Sequence, residues 1–518
     1  MKSLLHTPSL HRVSRASTLL ACLAAFATAQ AQAQEAAPVG RSGTSLTPRV
    51  TLSQTWTDNN TLSSGAKDAA LITVLSPGLT LASKTGMLKG SLDYAVSGVF
   101  YGKSEQKDRT QQSLTASGVA ELIDNFLFVD GRATIGRQLT SAFGQQSVDQ
   151  SLNNPNSTEV ATVNFSPFVR GRLFGLASYE LRGTYAETNA KGTSVSDSTV
   201  VGSNFRLDSA SFGQVGWWIN GNTQRSHFKS GVDNNTALVS LGLRYQPDVD
   251  WLFRVNAGRE SSDYQLGVAT RGNSYGASAN WQPTPRTTLL ADWQSHDYGN
   301  SHLLSFEHRM PRSVWRVSDS QNVSTQTSGN LPGQNTNYDL LFTQYASIEP
   351  DPIKRDAKVR QTLLELGLNA NAAAANSYLN AGPTLVRTQG LSFSFEALRT
   401  TLTASATQST TKQLGNGVPP GGVGGQTGNI VQRNGSINLA RNLTPTTSAN
   451  VSYTQSETLS DANAVSSSST TLRSVTANWT MRLNPRSSVS LGGRVARFDS
   501  SLLPYRENAV FATLVHQF

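Results

Sequence analysis

The sequence predicts an all-β protein: a transmembrane, antiparallel, up-and-down β-barrel of about 22 strands, within a range of 16 to 22, carrying one short helical insert. Three observations predict it. Apolar and polar residues alternate at period two over many long segments. The N-terminus has the layout of an export signal. The composition is poor in both charge (15%) and apolar residues (37%), while Gly is abundant at 42 residues. A water-soluble chain with so little charge would be short of solubility, and one with so few apolar residues would be short of core. A barrel in lipid needs neither, because one face of each strand meets lipid and the other meets water.

Lys2, Arg12 and Arg15 form a basic n-region, followed by an apolar run from Leu19 to Phe26. Small residues then recur at the spacing a signal peptidase reads, in Ala27-Thr28-Ala29, Ala29-Gln30-Ala31 and Ala31-Gln32-Ala33. Residues 1–33 therefore read as a signal peptide for Sec-dependent export, with 34–47 as a periplasmic N-terminal segment and 48–518 as the barrel. The apolar run before Cys22 is too short for the lipobox reading of Leu19-Leu20-Ala21-Cys22. Cys22 is the only cysteine, so cleavage would leave no disulfide, thiol nucleophile or Cys-based metal site. Beyond the signal no stretch offers about 18 consecutive apolar residues, which argues against a transmembrane helix. Removing the three basic residues of the n-region lowers the formal charge from +9 to +6, which is no nucleic-acid footprint on a chain of this length.

Alternation is clearest from Met87 to Tyr101. Leu88, Gly90, Leu92, Tyr94, Val96, Gly98 and Phe100 share one face, and Lys89, Ser91, Asp93 and Ser97 the other. The pattern recurs through 127–135, 163–170, 177–185, 237–246 and 251–260. Later strands are expected near 375–387, 391–408, 430–442, 446–458, 469–483, 487–499 and 506–518. Short turns at Asp124-Asn125, Pro247-Asp248, Pro283-Thr284-Pro285, Pro311-Arg312, Thr444-Pro445 and Asn484-Pro485 alternate with longer polar stretches such as 142–157 and 410–428. Outer-membrane barrels pair short periplasmic turns with long extracellular loops. Trp56, Trp217, Trp251, Trp281, Trp293, Trp315 and Trp479 sit at strand ends, where interfacial girdles form. The chain finishes on an alternating strand with a terminal aromatic, Phe518, which resembles the signal read by barrel-assembly machinery in outer-membrane proteins generally.

Residues 327–374 break the rhythm. Tyr338, Leu341, Phe342 and Tyr345 fall at helical spacing, and Asp351-Pro352 opens a second helix running to Leu366, with Gly367 as its stop. Strand parity puts this insert on the extracellular side. It reads either as an external loop over the mouth or as a lumen plug or gate, with apolar faces on the wall and Lys354, Arg355, Lys358 and Arg360 toward water. A missed strand would put it on the periplasmic side.

Catalysis finds little support. The five histidines beyond the signal, His227, His296, His302, His308 and His516, form no metal pair at helical spacing, and nothing in the spacing sets Asp292, Asp297 or Asp319 beside an imidazole. No catalytic, metal or cofactor-binding residue is assigned. The inward face is rich in charge. Candidate lumen-lining residues are Arg132, Arg170, Arg182, Arg206, Arg244, Arg254, Glu180 and Asp208. They fit either an eyelet for anionic or sugar-like solutes, or mutual pairing in a wet lumen.

Pro48-Arg49-Val50-Thr51-Leu52, Thr57-Asp58-Asn59, Ser76-Pro77-Gly78-Leu79, Glu307-His308-Arg309-Met310-Pro311-Arg312 with Val314-Trp315, and Pro350-Asp351-Pro352 resemble the β-barrel porin group associated with the exosortase/PEP-CTERM system. The resemblance covers most of the chain beyond the signal and carries no catalytic residues. It implies a Gram-negative outer-membrane protein linked to exopolysaccharide biosynthesis and export. Expected partners are outer-membrane lipid, the barrel-assembly machinery, polysaccharide and periplasmic export proteins, with no nucleic acid. A channel-like barrel for exopolysaccharide export is the leading expectation. A scaffold barrel anchoring surface polysaccharide or protein is the second, and a barrel hydrolase the third.

Overall fold

The computed structural model describes residues 43–83, 86–102, 104, 106–192, 197–210, 213–229, 233–265, 268–325, scattered positions from 338 to 362, 378–379, 382–414, 429–460 and 468–518. The signal-peptide expectation, and Lys354 and Arg360 of the insert, fall outside them.

Twenty-two strands form one closed sheet. The first eleven are β1 (Thr44–Thr57), β2 (Ala70–Ser83), β3 (Leu88–Gly102), β4 (Arg109–Ile123), β5 (Leu127–Leu139), β6 (Ser157–Leu173), β7 (Ala177–Ala190), β8 (Ser198–Ser209), β9 (Val215–Phe228), β10 (Asn234–Tyr245) and β11 (Trp251–Gln265). The second eleven are β12 (Val268–Thr284), β13 (Thr287–His296), β14 (Gly299–Arg309), β15 (Ser313–Ser324), β16 (Thr384–Glu396), β17 (Thr400–Gln413), β18 (Ile430–Thr444), β19 (Thr447–Ser460), β20 (Ser469–Asn484), β21 (Ser487–Ser500) and β22 (Tyr505–Gln517). Each pairs antiparallel with its chain neighbours, and β1 meets β22 from Arg49–Gln517 to Thr57–Ala509. Closure leaves no free edge, which is what lipid demands of a sheet.

Two boundaries differ from expectation. Strand β1 begins at Thr44, inside the segment read as a periplasmic lead-in, because Thr44 pairs with Ser83 and extends the ladder of β2. The turn between β16 and β17 is 397–399, not near 388–390: Gly390 stays in the ladder opposite Ser318, so the outward series Leu391, Phe393, Phe395 continues unbroken from it.

The period-two pattern sorts the two faces. Phe100, Val163, Leu181, Val239, Val255, Ile437, Val451 and Val495 are exposed on the outside, while the residues flanking them in the chain point inward. Connections at one end, here the turn end, run two to five residues; the opposite, loop end carries 58–69, 140–156, 325–383 and 414–429. Strand β1 starts and strand β22 finishes at the turn end. The shortest turn-end links are chemically specific. Phe174 (φ 49°) and Gly175 (φ 73°) are both left-handed, and the Leu176 N–H donates to the Leu173 carbonyl at 2.9 Å, the geometry of a type I′ hairpin. Trp251 stacks on Trp281 at 5.5 Å and on Phe253 at 5.2 Å near the turn end, and Trp315 packs on Phe393 at 4.4 Å.

The loop end is not uniformly tall. Strands β11 and β12 are joined by 266–267 and β13 and β14 by 297–298, so this sector of the rim is low. On the opposite sector long loops fold inward. Leu62 and Leu152 are buried with Ile72, Val99, Leu472, Ala496, Phe498 and Tyr505 in a core inside the barrel mouth. The Tyr505 hydroxyl donates to the Gln146 carbonyl at 2.7 Å, and Arg494 links Asp149 (3.0 Å) to Glu507 (2.7 Å).

Candidate functional site

The lumen has two unlike walls. On β6 to β11 the ladder brings the inward arginines into rows. Arg170 is opposite Glu180, which is opposite Arg206. Arg244 is opposite Arg254. Phe128 and Phe168, cross-strand partners on β5 and β6, stack at 5.0 Å between two guanidiniums: Arg170 lies 4.1 Å over Phe128, and Arg182 lies 4.0 Å over Phe168. The rings hold the arginine stems flat against the wall while the charged heads stay wet. Some charges are answered. Arg206 donates two hydrogen bonds to Asp208, at 2.7 and 3.0 Å, and Arg182 pairs with Glu180 at 3.0 Å and Asp130 at 3.7 Å. Arg132, Arg170, Arg172 and Arg254 have no carboxylate partner among the described residues, and the first three are exposed. Mutual pairing therefore covers part of this wall and leaves it a net excess of positive charge.

The wall on β16 to β19 is different. Apart from Glu396 at the turn end, its inward residues are neutral, among them Thr388, Ser392, Ser394, Thr403, Ser405, Ser436, Asn438, Ala440, Ser448 and Asn450, all buried. The insert lies against it. Leu341, Tyr345 and Val359 are buried in a cluster with Ala440, with Tyr338 and Phe342 packed on them. Ala440 pairs with Thr401, at the turn-end side of the sheet, and Lys358 lies within electrostatic reach of Glu396, the last residue of β16. The insert leaves β15 at the loop end and its described part docks near the opposite end. The described part of the insert thus lies inside the barrel.

Arg355 and Lys358 were expected to face water from the insert. Arg355 is half-buried and lies 4.9 Å over the Phe342 ring, while Lys358 is exposed and lies 4.9 Å over Tyr345. They tie the second helical segment to the first, as do the hydrogen bonds from the Tyr338 hydroxyl to Asp356 and between Tyr345 and Thr362 (3.1 Å). The insert's far end returns across the mouth. Tyr378 bridges in parallel to Leu139 at the end of β5, the Leu379 N–H donates to the Leu139 carbonyl at 3.1 Å, and Tyr378 packs among Leu139, Ala142, Phe143 and Ile430. This strap spans from the β18 side to β5.

The pairing also places groups that spacing alone could not. His302 Nε2 lies 3.2 Å from Asp319, which also binds Arg387, on the outer face near the loop end. On the inner face His296 Nδ1 lies 2.6 Å from Glu260, and its Nε2 lies 3.1 Å from Ser301 Oγ. Glu260 also accepts the Asp297 N–H, and Tyr298 stacks on the His296 ring at 4.7 Å. Burial acts to raise the Asp297 carboxyl, but hydrogen bonds with Thr270, Glu260 and Ser262 hold it below its ordinary range. This network ties the two low hairpins together. Its Ser–His–Glu connectivity is that of a nucleophile, base and orienting acid. The sequence signal was present only as register: β11 and β13 are not adjacent, so Glu260 and His296 meet across β12.

No family model matches the chain, and no curated protein does. Among solved structures it is similar to the FrpB iron transporter from Neisseria meningitidis (F3-3 variant), at 12% identity and a TM-score of 0.48, over 91% of this chain and 81% of that one. It is similar to the siderophore receptor PirA from Acinetobacter baumannii at 8% identity and a TM-score of 0.48, over 91% and 80%. For OccAB4 from the same organism the values are 10%, 0.30, 91% and 98%. Likeness at this level adds nothing to the strand pairing already described.

Proposed function

We propose that the chain is a Gram-negative outer-membrane conduit whose lumen is half filled by its own insert, and that it serves export of an acidic exopolysaccharide. The observation that carries the reading is the asymmetry of the lumen: a largely neutral wall on which the insert packs faces a wall with an excess of arginines, of which Arg170 and Arg172 are exposed without a carboxylate partner among the described residues. A barrel of this strand number is wide enough for an aqueous passage unless something occupies it. The outward apolar face with Trp at both levels fits a bilayer, and the short-turn end fits the periplasm. The arginine rows favour anionic solutes. The family resemblance of the sequence supplies the link to exopolysaccharide, and the same resemblance implies barrel-assembly machinery and periplasmic export proteins as partners.

The insert fits a gate better than a permanent plug. The wall it covers is hydroxyl- and amide-rich, so uncovering it exposes groups that water solvates, and displacement forfeits little of the roughly 25 cal/mol per Å² that an apolar wall would hold. The test is a deletion strain. Loss of surface polysaccharide, restored by the intact gene, is the expected result; unchanged export sinks the polysaccharide assignment, and a scaffold barrel would then be supported by loss of surface anchoring with secretion intact.

A second reading has one observation in its favour. The Ser301–His296–Glu260 relay could carry acyl transfer at the low rim. Covalent labelling by a serine-directed fluorophosphonate, lost in Ser301→Ala, would support a hydrolase. No labelling of the folded protein removes it.

A further inference from the structure

The outer surface carries a second arginine array that the conduit reading does not use. Arg473 on β20 stands directly opposite Arg497 on β21, and Arg497 directly opposite Arg506 on β22. All three are exposed on the outward face near the loop end. Directly opposed side chains lie about 5 Å apart at Cβ, where like charges repel. A single carboxylate answers the row among the described residues: Asp499 accepts from Arg497 Nε at 2.7 Å and lies 3.4 Å from Arg473 Nη1. Near this level Arg387 pairs with Asp319 and Arg433 with Glu457, whereas Arg225 on β9 is exposed on the outward face with no carboxylate partner among the described residues.

What lies beneath the row is equally specific. One step toward the turn end, Val475 is opposite Val495 and Val495 is opposite Asn508; Val510 lies one step further along β22, opposite Gly493. These valines are exposed to between 46% and 61%, so the cationic row caps an apolar strip interrupted on β22 by Asn508. A strip for acyl chains with guanidiniums at its upper edge matches an amphiphile with an anionic head. Guanidinium forks bind phosphate oxygens through paired, charge-assisted hydrogen bonds, and an added phosphate would turn the repulsion along the row into shared attraction.

We propose that Arg473, Arg497 and Arg506 bind the phosphate of an anionic outer-leaflet glycolipid, whose acyl chains lie over Val475, Val495 and Val510. The proposal rests on the outer-membrane reading, with the loop end outward. The test uses the purified full chain in detergent, native mass spectrometry, and two probes: diphosphorylated lipid A and the same glycolipid with its phosphates removed. The wild type is expected to retain the phosphorylated form at least tenfold better. Combined Arg473→Ser, Arg497→Ser and Arg506→Ser is expected to abolish that preference while heat-modifiable gel migration stays unchanged. Arg497→Gln, which keeps a polar chain at the centre of the row, is expected to lower it severalfold and serves if the triple variant does not fold. Equal retention of both probes by the wild type, or an undiminished preference in the variants, overturns the site. Displacement of the glycolipid by tenfold excess inorganic phosphate would overturn the lipid as the source of the anion. A wild type that does not insert into lipid vesicles overturns the outer-membrane reading and this site with it. Insertion without preference overturns this site alone.

Discussion

The two lumen walls are built by the same period-two rule and end in opposite states. On β16 to β19 the inward residues are mostly buried Ser, Thr, Asn and Ala, and Ala440 among them packs against the insert. On β6 to β11 they include Arg170, Arg182, Arg206, Arg244 and Arg254, and water reaches them. Small neutral side chains leave room for a polypeptide to lie against the sheet without stranding a charge. Arginines do not, since covering an unpaired guanidinium costs several kcal/mol. The composition of a wall thus decides whether it is covered or left as the passage.

The largest expected effect comes from removing the difference. Replacing 327–377 with a short Gly-Ser hairpin is expected to raise single-channel conductance severalfold in planar bilayers, because the covered wall becomes wetted. A conductance that stays closed would end the gate reading. Next comes the network that folds loop 140–156 into the mouth. Arg494 is buried between Asp149 and Glu507, so Arg494→Ala strands two carboxylates and is expected to destabilise the barrel by about 3–5 kcal/mol, read as a lower urea midpoint. Burial acts to raise the Asp149 carboxyl, yet Arg494 and the Ser151 N–H and hydroxyl outweigh it and hold Asp149 below its ordinary range. The sign follows: its contribution is complete above the unfolded value of about 4 and is lost as pH falls below it. Amide exchange in 145–154 is therefore expected to accelerate only in acid, whereas Asp149→Asn makes it fast at neutral pH as well.

A smaller effect discriminates the walls directly. Arg170→Gln with Arg206→Gln is expected to shift the reversal potential toward cations by several millivolts in a salt gradient, while Thr403→Val on the covered wall leaves it unchanged. Equal shifts from both would show that the walls are not functionally distinct. The smallest effect lies at the turn end. Phe174 is almost fully exposed with φ 49°, and Phe174→Asn is expected to stabilise the hairpin by up to about 1 kcal/mol, since Asn tolerates that conformation, with conductance unaltered.

Much of the frame was legible because it is local. Leu88 to Phe100 shows its two faces within one strand, and Asp124-Asn125 or Asn484-Pro485 announces a turn by its own backbone preference. The count of strands and the parity of the insert follow from such signals alone. What the insert covers does not, because Leu341, Tyr345 and Val359 choose Ala440 across a lumen that exists only after closure. Glu260 and His296 were hidden for the same reason, each lying inward on a strand separated from the other by β12. Helical spacing could not show that Arg355 and Lys358 also lie over aromatic rings one segment away.

The strap at Tyr378 also sets an order of events. Its partner, Leu139, ends β5, while Tyr378 itself is made only after β15. The contact between them cannot form until every strand from β6 to β15 has been synthesised, and a closed loop of that length is slow to find its ends. The crossing of the mouth is therefore a late step, and it acts as a completion mark: a chain protected at Leu139 and Tyr378 has already laid down the arginine wall beneath it.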